Sequence, residues 1–422
     1  MVLTCLWLTT LAQTGTWSGK IEVQGMSLPL VFHLNESDAT MDSPAQGVRD
    51  IPAQIERKAA SGVVVRVPSI GATYEGVWLG KQIMGTFKQH GAAFALTLIP
   101  GEERLNRPQT PKAPFDYDTE EVTFSNGDAM LSGTLVLPKG CSRQTPVLIM
   151  VTGSGLQNRD EELFEHKPFA VLADALAKAG IATLRYDDRG FGKSTGDVVM
   201  CTTEDLKNDA LAGMTLLRQR FSRVGVLGHS EGGTIALMLA AEGKADFVVS
   251  LAGMTISGKE LLLWQNRTML GSAGIPEATV DDYCRLLAEA FDACVANAPI
   301  PSADATTLPD ALKQNYQGVV KQLQLPYLRH FVALDVRPML GKITCPVMAL
   351  NGTKDTQVAC DVNLKALRDG LPASQHHCIE AIEGVNHMFQ HCTTGATAEY
   401  REIEETMSPQ VLDAVVQWLK QR

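Results

Sequence analysis

The stretch GVLGHSEGGT, residues 225–234, sets a serine between glycines where an apolar run ends and a helical pattern begins. A G-x-S-x-G string after a strand and before a helix puts the serine on a sharp turn and lifts its Oγ above the sheet. In so tight a turn, side chains at Gly228 and Gly232 would collide with the neighbouring strand and helix. Ser230 is therefore a candidate nucleophile. The rest of the chain must then supply a base, an acid that orients the base, and donors for a developing oxyanion.

An acid and a base occur in the required order. "PVMALNG" is followed by "TKDTQV", which places Asp355 just past a strand end, and "CIEAIEG" is followed by "VNHMFQ", which places His387 just past the next. Taken singly, Asp355 reads equally well as a helix cap and His387 as a structural histidine. Taken together, Ser230, Asp355 and His387 follow the chain order of a serine triad on a parallel sheet. Asp335 in "ALDVRP" is the reserve acid, although it precedes its strand. His229 is expected to point away from the pocket, and His166, His330 and His391 are weaker candidates for the base. For the oxyanion, one donor is the amide of Glu231, directly after the nucleophile. The second is the amide of Ser154 or Gly155 in "VTGSGLQNRDEE", the loop after the first parallel strand. The loop "YDDRGFGKSTG", residues 186–196, lacks phosphate-loop spacing and reads as a structural turn with an internal Asp188/Arg189 pair. Since His387 must be neutral to accept a proton, the rate is expected to fall in acid.

Outward from this core, the grammar of the chain changes twice. Residues 13–104 alternate with period two and break at Gly and Pro, as in "GVVVRVP", "YEGVWLG" and "AFALTLIP", which predicts a small antiparallel barrel or sandwich with Trp17, Trp78 and Phe87 in its core. Residues 105–118, with Pro108, Pro111 and Pro114, have the composition of a stiff linker. From 119 to 422 a hairpin leads into near-continuous apolar strands alternating with amphipathic helices, the pattern of a mostly parallel α/β sheet. Among these helices, one ends at Gly180, one has Thr203 as its expected N-cap, and the last begins at Ser408-Pro409. The stretch from about 255 to 340 is too long for one crossover and reads as a helical cap over the carboxyl ends of the strands.

Composition narrows the partners. A formal net charge of −10 without Lys/Arg clusters excludes a general nucleic-acid or anionic-membrane binder. Residues 1–12 read as the remnant of a signal peptide lacking a basic start, so export to the periplasm or beyond is expected, with a cytoplasmic location otherwise. That apolar run is too short to span a bilayer, and no later stretch qualifies. Nine cysteines without a C-x-x-C pair give no metal-site spacing, and "HHCIEAIEG", containing His376, His377 and Cys378, alternates like a strand. Neither metal nor organic cofactor is expected.

Residues 119–422 resemble the α/β-hydrolase superfamily, and within it the bacterial serine esterases. The resemblance is carried by "GSGLQNRDE" at 153–161, "YDDRGFGKS" at 186–194, "GHSEGG" at 228–233, "GTKDTQV" at 352–358 and "NHMFQ" at 386–390. It implies Ser230 as nucleophile, Asp355 as triad acid and His387 as base. One departure is Thr152, where such enzymes often carry a histidine. The first hundred residues resemble the small β domain that precedes the hydrolase in some exported members. A carboxylic ester hydrolase working through an acyl-enzyme on a small-molecule ester is thus the leading expectation. A peptidase, amidase or thioesterase with the same triad is the alternative, and a binding module with a silent hydrolase domain is the alternative from another class. An Asp-nucleophile dehalogenase or epoxide hydrolase is excluded by the serine at 230.

Overall fold

The structure, a computed structural model, describes residues 14–23, 26–46, 48–58, 61–89, 91–102 and 105–422. The expected leader at 1–12 lies outside the described residues. The chain divides into two compact units: the described residues up to Asn106 together with Glu162–Glu165, and Arg107–Glu161 together with His166–Arg422.

The first unit is a closed barrel of eight antiparallel strands: β1 (Gly15–Val23), β2 (Met26–Leu34), β3 (Ala39–Ser43), β4 (Val48–Lys58), β5 (Gly62–Val67), β6 (Ala72–Leu79), β7 (Gln82–Gln89) and β8 (Ala92–Pro100). Pairing of β1 with β8 closes it and removes both sheet edges. Alternation along the strands turns apolar side chains inward. Trp17 and Trp78 meet edge to face at 4.8 Å, and Phe32, Tyr74 and Phe87 are buried beside them. The Tyr74 hydroxyl donates to the carbonyls of Ile83 and Leu96, so even the polar end of this ring is satisfied inside.

The second unit carries an eight-stranded sheet: β9 (Tyr117–Asn126), β10 (Ala129–Pro138), β11 (Val147–Val151), β12 (Ala182–Tyr186), β13 (Val224–His229), β14 (Val248–Leu251), β15 (Val347–Gly352) and β16 (Cys378–Ile382), in the order β16-β15-β14-β13-β11-β12-β10-β9. The β9–β10 hairpin is antiparallel and joins an otherwise parallel run from β12 to β16. Strands such as VLIMV and VVSL are buried at every position, because helices cover both faces. Thr203–Arg218, Glu231–Ala241 and Cys360–Gly370 pack on one face, and Pro168–Lys178 and Pro409–Leu419 on the other. The α/β-hydrolase architecture read from the sequence is thus the one observed. The stretch between β14 and β15 forms helices Gly258–Ser272, Glu277–Val295, Asp310–Gln322, Pro326–Ala333 and Arg337–Leu340, with a core of its own around Tyr283, Leu287, Phe291 and Tyr316.

Two local expectations are corrected. The N-cap of the Thr203–Arg218 helix is Thr202, not Thr203: Thr202 Oγ1 accepts from the Asp205 amide while the Asp205 carboxylate accepts from the Thr202 amide. Asp188 and Arg189 do not pair with each other either. Arg189 forms a bidentate bond to Asp209, and the neighbouring Asp187 is held by Arg159. Asp188 instead accepts from Thr152 and the Gln157 amide, so each of the three finds its partner on another part of the chain.

The proline-containing segment is fastened along its start. Arg107 donates to the carbonyls of Arg401 and Ile403, and Gln109 donates to the carbonyl of Met407 and accepts from the amides of Thr406 and Met407. The eight cysteines among the described residues are free thiols. No helix among the described residues is long and apolar enough to cross a membrane.

Candidate active site

The turn at Ser230 is built by contact distances that only glycine tolerates. A Cβ on Gly228 would fall 1.9 Å from the carbonyl oxygen of Gly232, and one on Gly232 would fall 2.0 Å from that of Val151 in β11. The helix therefore starts directly against the central strands. Ser230 takes φ 53° and ψ −120°, a conformation that L-residues avoid at a cost of roughly 1–3 kcal/mol. Its amide donates to the Leu251 carbonyl at 2.8 Å, and its own carbonyl accepts from Gly233 and Thr234, so the turn is clamped on both sides. Ser230 is partly buried, between the buried His229 and Glu231.

Asp355 and His387 come together as the sequence suggested. Nδ1 of His387 lies 2.7 Å from Oδ2 of Asp355, with both side chains buried. The other carboxylate oxygen accepts the amides of Gln357 and Val358, so Asp355 also shapes the turn that leads to the Cys360–Gly370 helix. It is not the cap of that helix, whose N-cap position is Ala359. The reserve acid Asp335 is instead engaged by Arg337. Of the other histidines, His166 bonds to Thr406 and Tyr400, and His391 pairs with Glu405. His377 accepts from the Val347 amide, which takes it out of any metal cluster with His376 and Cys378.

The loop after β11 passes over the turn. A Cβ on Gly153 would come within 3.1 Å of the Ser230 Cβ. The Gly153 amide is committed to Oε1 of Glu161 at 2.8 Å, which leaves the expected donors at Ser154 and at Gly155, whose φ of 96° suits glycine. Glu231 opens its helix, where the first amides lack intrahelical partners. Thr152, at the position where a histidine is common, donates to Asp188. Burial pushes the Asp188 carboxyl well above the usual carboxylate range, with the charges of Glu161 and Glu231 acting the same way against its hydrogen bonds.

Three features went unread in the sequence. The Glu231 side chain is buried and accepts from the hydroxyls of Thr203, Ser154 and Tyr327. Tyr327 belongs to the helical insertion, and burial followed by the nearby Glu231 charge pushes its phenol well up, so it remains a donor. His229 is buried, and its bonds to Glu161 and the His387 carbonyl were not foreseen. A signal was available for Glu161, an acidic residue inside the RDE string that the triad did not use. Among the described residues, the one His/Cys/Asp/Glu group close enough to hold a metal ion is His33, Asp42 and Asp50 in the barrel, where Asp42 already binds His33 and the Asp50 amide.

Residues 165–391, more than half of the chain, match the family described as Serine aminopeptidase, S33. The chain belongs to this family of α/β-hydrolases. The chain is 30% identical over 228 residues to Esterase EstD of Thermotoga maritima, an alignment that covers 53% of this chain and 53% of that relative. The chain therefore spans about half the length of the curated relative it matches. Among solved structures, an esterase of Pyrococcus furiosus aligns over 76% of the hydrolase and 98% of its own chain at 17% identity and a TM-score of 0.45. Proline iminopeptidase of Mycobacterium smegmatis aligns over 72% of the hydrolase and 98% of its own chain at 18% identity, with a TM-score of 0.45.

Proposed function

We propose that the chain is a serine carboxylesterase acting on small-molecule esters. Ser230 Oγ attacks the ester carbonyl while Nε2 of His387 takes its proton and returns it to the departing alcohol. The ester C–O bond breaks, the acyl group stays on Ser230, and water, activated by the same histidine, releases the acid. Asp355 holds the ring so that Nε2 is the free nitrogen, and it stabilises the imidazolium formed in each half-reaction. The amides of Glu231 and of Ser154 or Gly155 receive the oxyanion. The observation that carries this reading is the 2.7 Å contact between the buried Asp355 and His387, together with a serine held at positive φ at the end of β13. Similarity to a relative named as an esterase supports the ester as substrate. The helical insertion acts as a cap that shapes the acyl and alcohol pockets, with Tyr327 as its point of attachment to Glu231.

The test is initial rates on p-nitrophenyl esters of increasing acyl length, for wild type and folded Ser230→Ala. Turnover is expected to fall by roughly four orders of magnitude or more in the variant, and equal rates would remove Ser230 from the chemistry. The family description favours a second reading, release of an amino-terminal residue from a peptide. Aminoacyl p-nitroanilides decide it: a kcat/KM above that for every ester in the series would replace the first reading.

A further inference from the structure

We infer that Glu161 and His229 form a charged positioning pair that holds the base loop and the oxyanion loop in register across the nucleophile turn; the inference rests on the serine reading above. Glu161 takes φ 53° at the end of the loop after β11. Its Oε1 accepts from the Gly153 amide at 2.8 Å and from Nδ1 of His229 at 2.9 Å. Across the ring, Nε2 of His229 donates to the main-chain carbonyl of His387 at 2.9 Å. The loop over the serine, the residue before the serine and the residue that serves as base are thereby joined through one carboxylate and one imidazole. The His229 and His387 rings lie 4.7 Å apart, so a shift of the first is passed to the second by contact as well as by hydrogen bond.

Hydrogen-bond accounting fixes the protonation. A carbonyl only accepts, so Nε2 of His229 carries a hydrogen, and in the proposed ion pair, where Glu161 is the carboxylate, Nδ1 carries one too. In that pair His229 is an imidazolium that neutralises Glu161. Burial works against that charge, but the Glu161 carboxylate outweighs it and raises the imidazole above its ordinary value. The surroundings are apolar: Phe169, Leu172, Leu251, Met388 and Met407 line the same pocket as the pair, and Oε2 of Glu161 is buried without a partner. A buried ion pair is a poor source of stability compared with apolar packing, but it tolerates little displacement, because moving either partner strands the other charge. Fixed geometry is what such a pair supplies here.

Glu161→Gln keeps the shape but cannot serve both neighbours. With a neutral His229 still bonded to His387, Nδ1 needs a donor while the Gly153 amide needs an acceptor at the same amide atom. Turnover per active site, counted by fluorophosphonate labelling, is expected to fall on the order of 10²-fold with KM changed less than about threefold, as displacement of reacting groups predicts. Leu172→Ala, which loosens the same pocket without touching the pair, controls for stability and is expected to keep its turnover per site. A Glu161→Gln enzyme within about threefold of wild-type turnover, or an equal loss in Leu172→Ala, overturns the inference. Nitrogen-15 NMR of the histidine-labelled wild-type protein tests it without any variant: two protonated ring nitrogens on His229 at pH 8 are expected, and a neutral tautomer overturns it. The two proposals fail separately. Full turnover in Ser230→Ala removes the serine reading, whereas full turnover in Glu161→Gln with a dead Ser230→Ala removes only the pair.

Discussion

Asp355 uses its two oxygens for different purposes, one for the turn at Gln357 and Val358 and one for His387. Asparagine can keep an oxygen on the turn, but it then presents an amide to Nδ1 and favours the tautomer of His387 that cannot serve as the proposed base. Asp355→Asn is expected to lower kcat by about 10⁴-fold while leaving stability within about 1 kcal/mol, a contrast that steady-state kinetics and urea unfolding read directly. Thr202 and Thr203 separate in the same way. Thr202→Ala removes the cap and is expected to cost about 1 kcal/mol in urea unfolding without lowering kcat. Thr203→Val leaves the cap intact but takes a hydroxyl donor from the buried Glu231, and is expected to lower kcat as well as stability. Both threonines satisfy a preference for hydroxyl residues at helix starts. The capping-box spacing from Thr202 to Asp205 is the sequence feature that separates them.

At the level of elements, the turn between β13 and the Glu231–Ala241 helix stands on two close approaches. Gly232→Ala places a methyl group 2.0 Å from the Val151 carbonyl oxygen, on backbone that a neighbouring strand holds in place. The variant is expected to lose about 2 kcal/mol or more in urea unfolding and to lose most of its turnover, because relief of the clash must move either the strand or the serine. This element was legible because its requirement is local: a strand, a glycine on each side of the serine, and a helix all lie within one stretch of chain. Asp355 and His387 were legible for a related reason, since each directly follows an apolar run whose end marks the edge of the sheet. The Glu161–His229 contact was not. Its two residues are 68 positions apart, and nothing in either segment alone states which buried acid meets which buried imidazole. Asp188 and Arg189 misled for the opposite reason, since proximity in sequence suggested a pair, whereas Thr152 takes the one and Asp209 the other.

For the molecule as a whole, acid sensitivity follows from a histidine outside the candidate triad. His166 is 2% exposed, and burial, with the Arg107 guanidinium adding to it, pushes its imidazole down to about 4 from 6.5. Between those values the unfolded chain binds the proton and the folded chain does not. Stability from this group is therefore complete above pH 6.5 and is lost as the pH falls toward 4. The amount is about 3 kcal/mol at most. Urea unfolding between pH 7.5 and 4.5 is expected to show that share of the decline in the wild type and not in His166→Gln. A decline of the same size in both would assign the loss to the carboxylates instead. An antiparallel β domain and a parallel sheet were visible at this scale from the change of period alone, whereas closure of the first into a barrel rather than a sandwich was not. Which atoms bind the polar segment at 105–118 was not visible, since its partners are main-chain carbonyls and amides, and every residue type carries those.

That fastening has a bearing on how the protein is made. Arg107 and Gln109 emerge early in synthesis, yet the atoms they bind belong to residues 401–407, separated from them by 294 to 298 positions. Ser230 leaves the ribosome well before His387, and His387 before the carbonyls that Arg107 grips. Contacts of such separation form late, after the chain between them has been ordered. A nascent chain interrupted just beyond His387 would hold Ser230, Asp355 and His387 and still lack the Pro409–Leu419 helix and the contacts between residues 107–109 and 401–407. The candidate triad therefore emerges before the contacts between residues 107–109 and 401–407 can close.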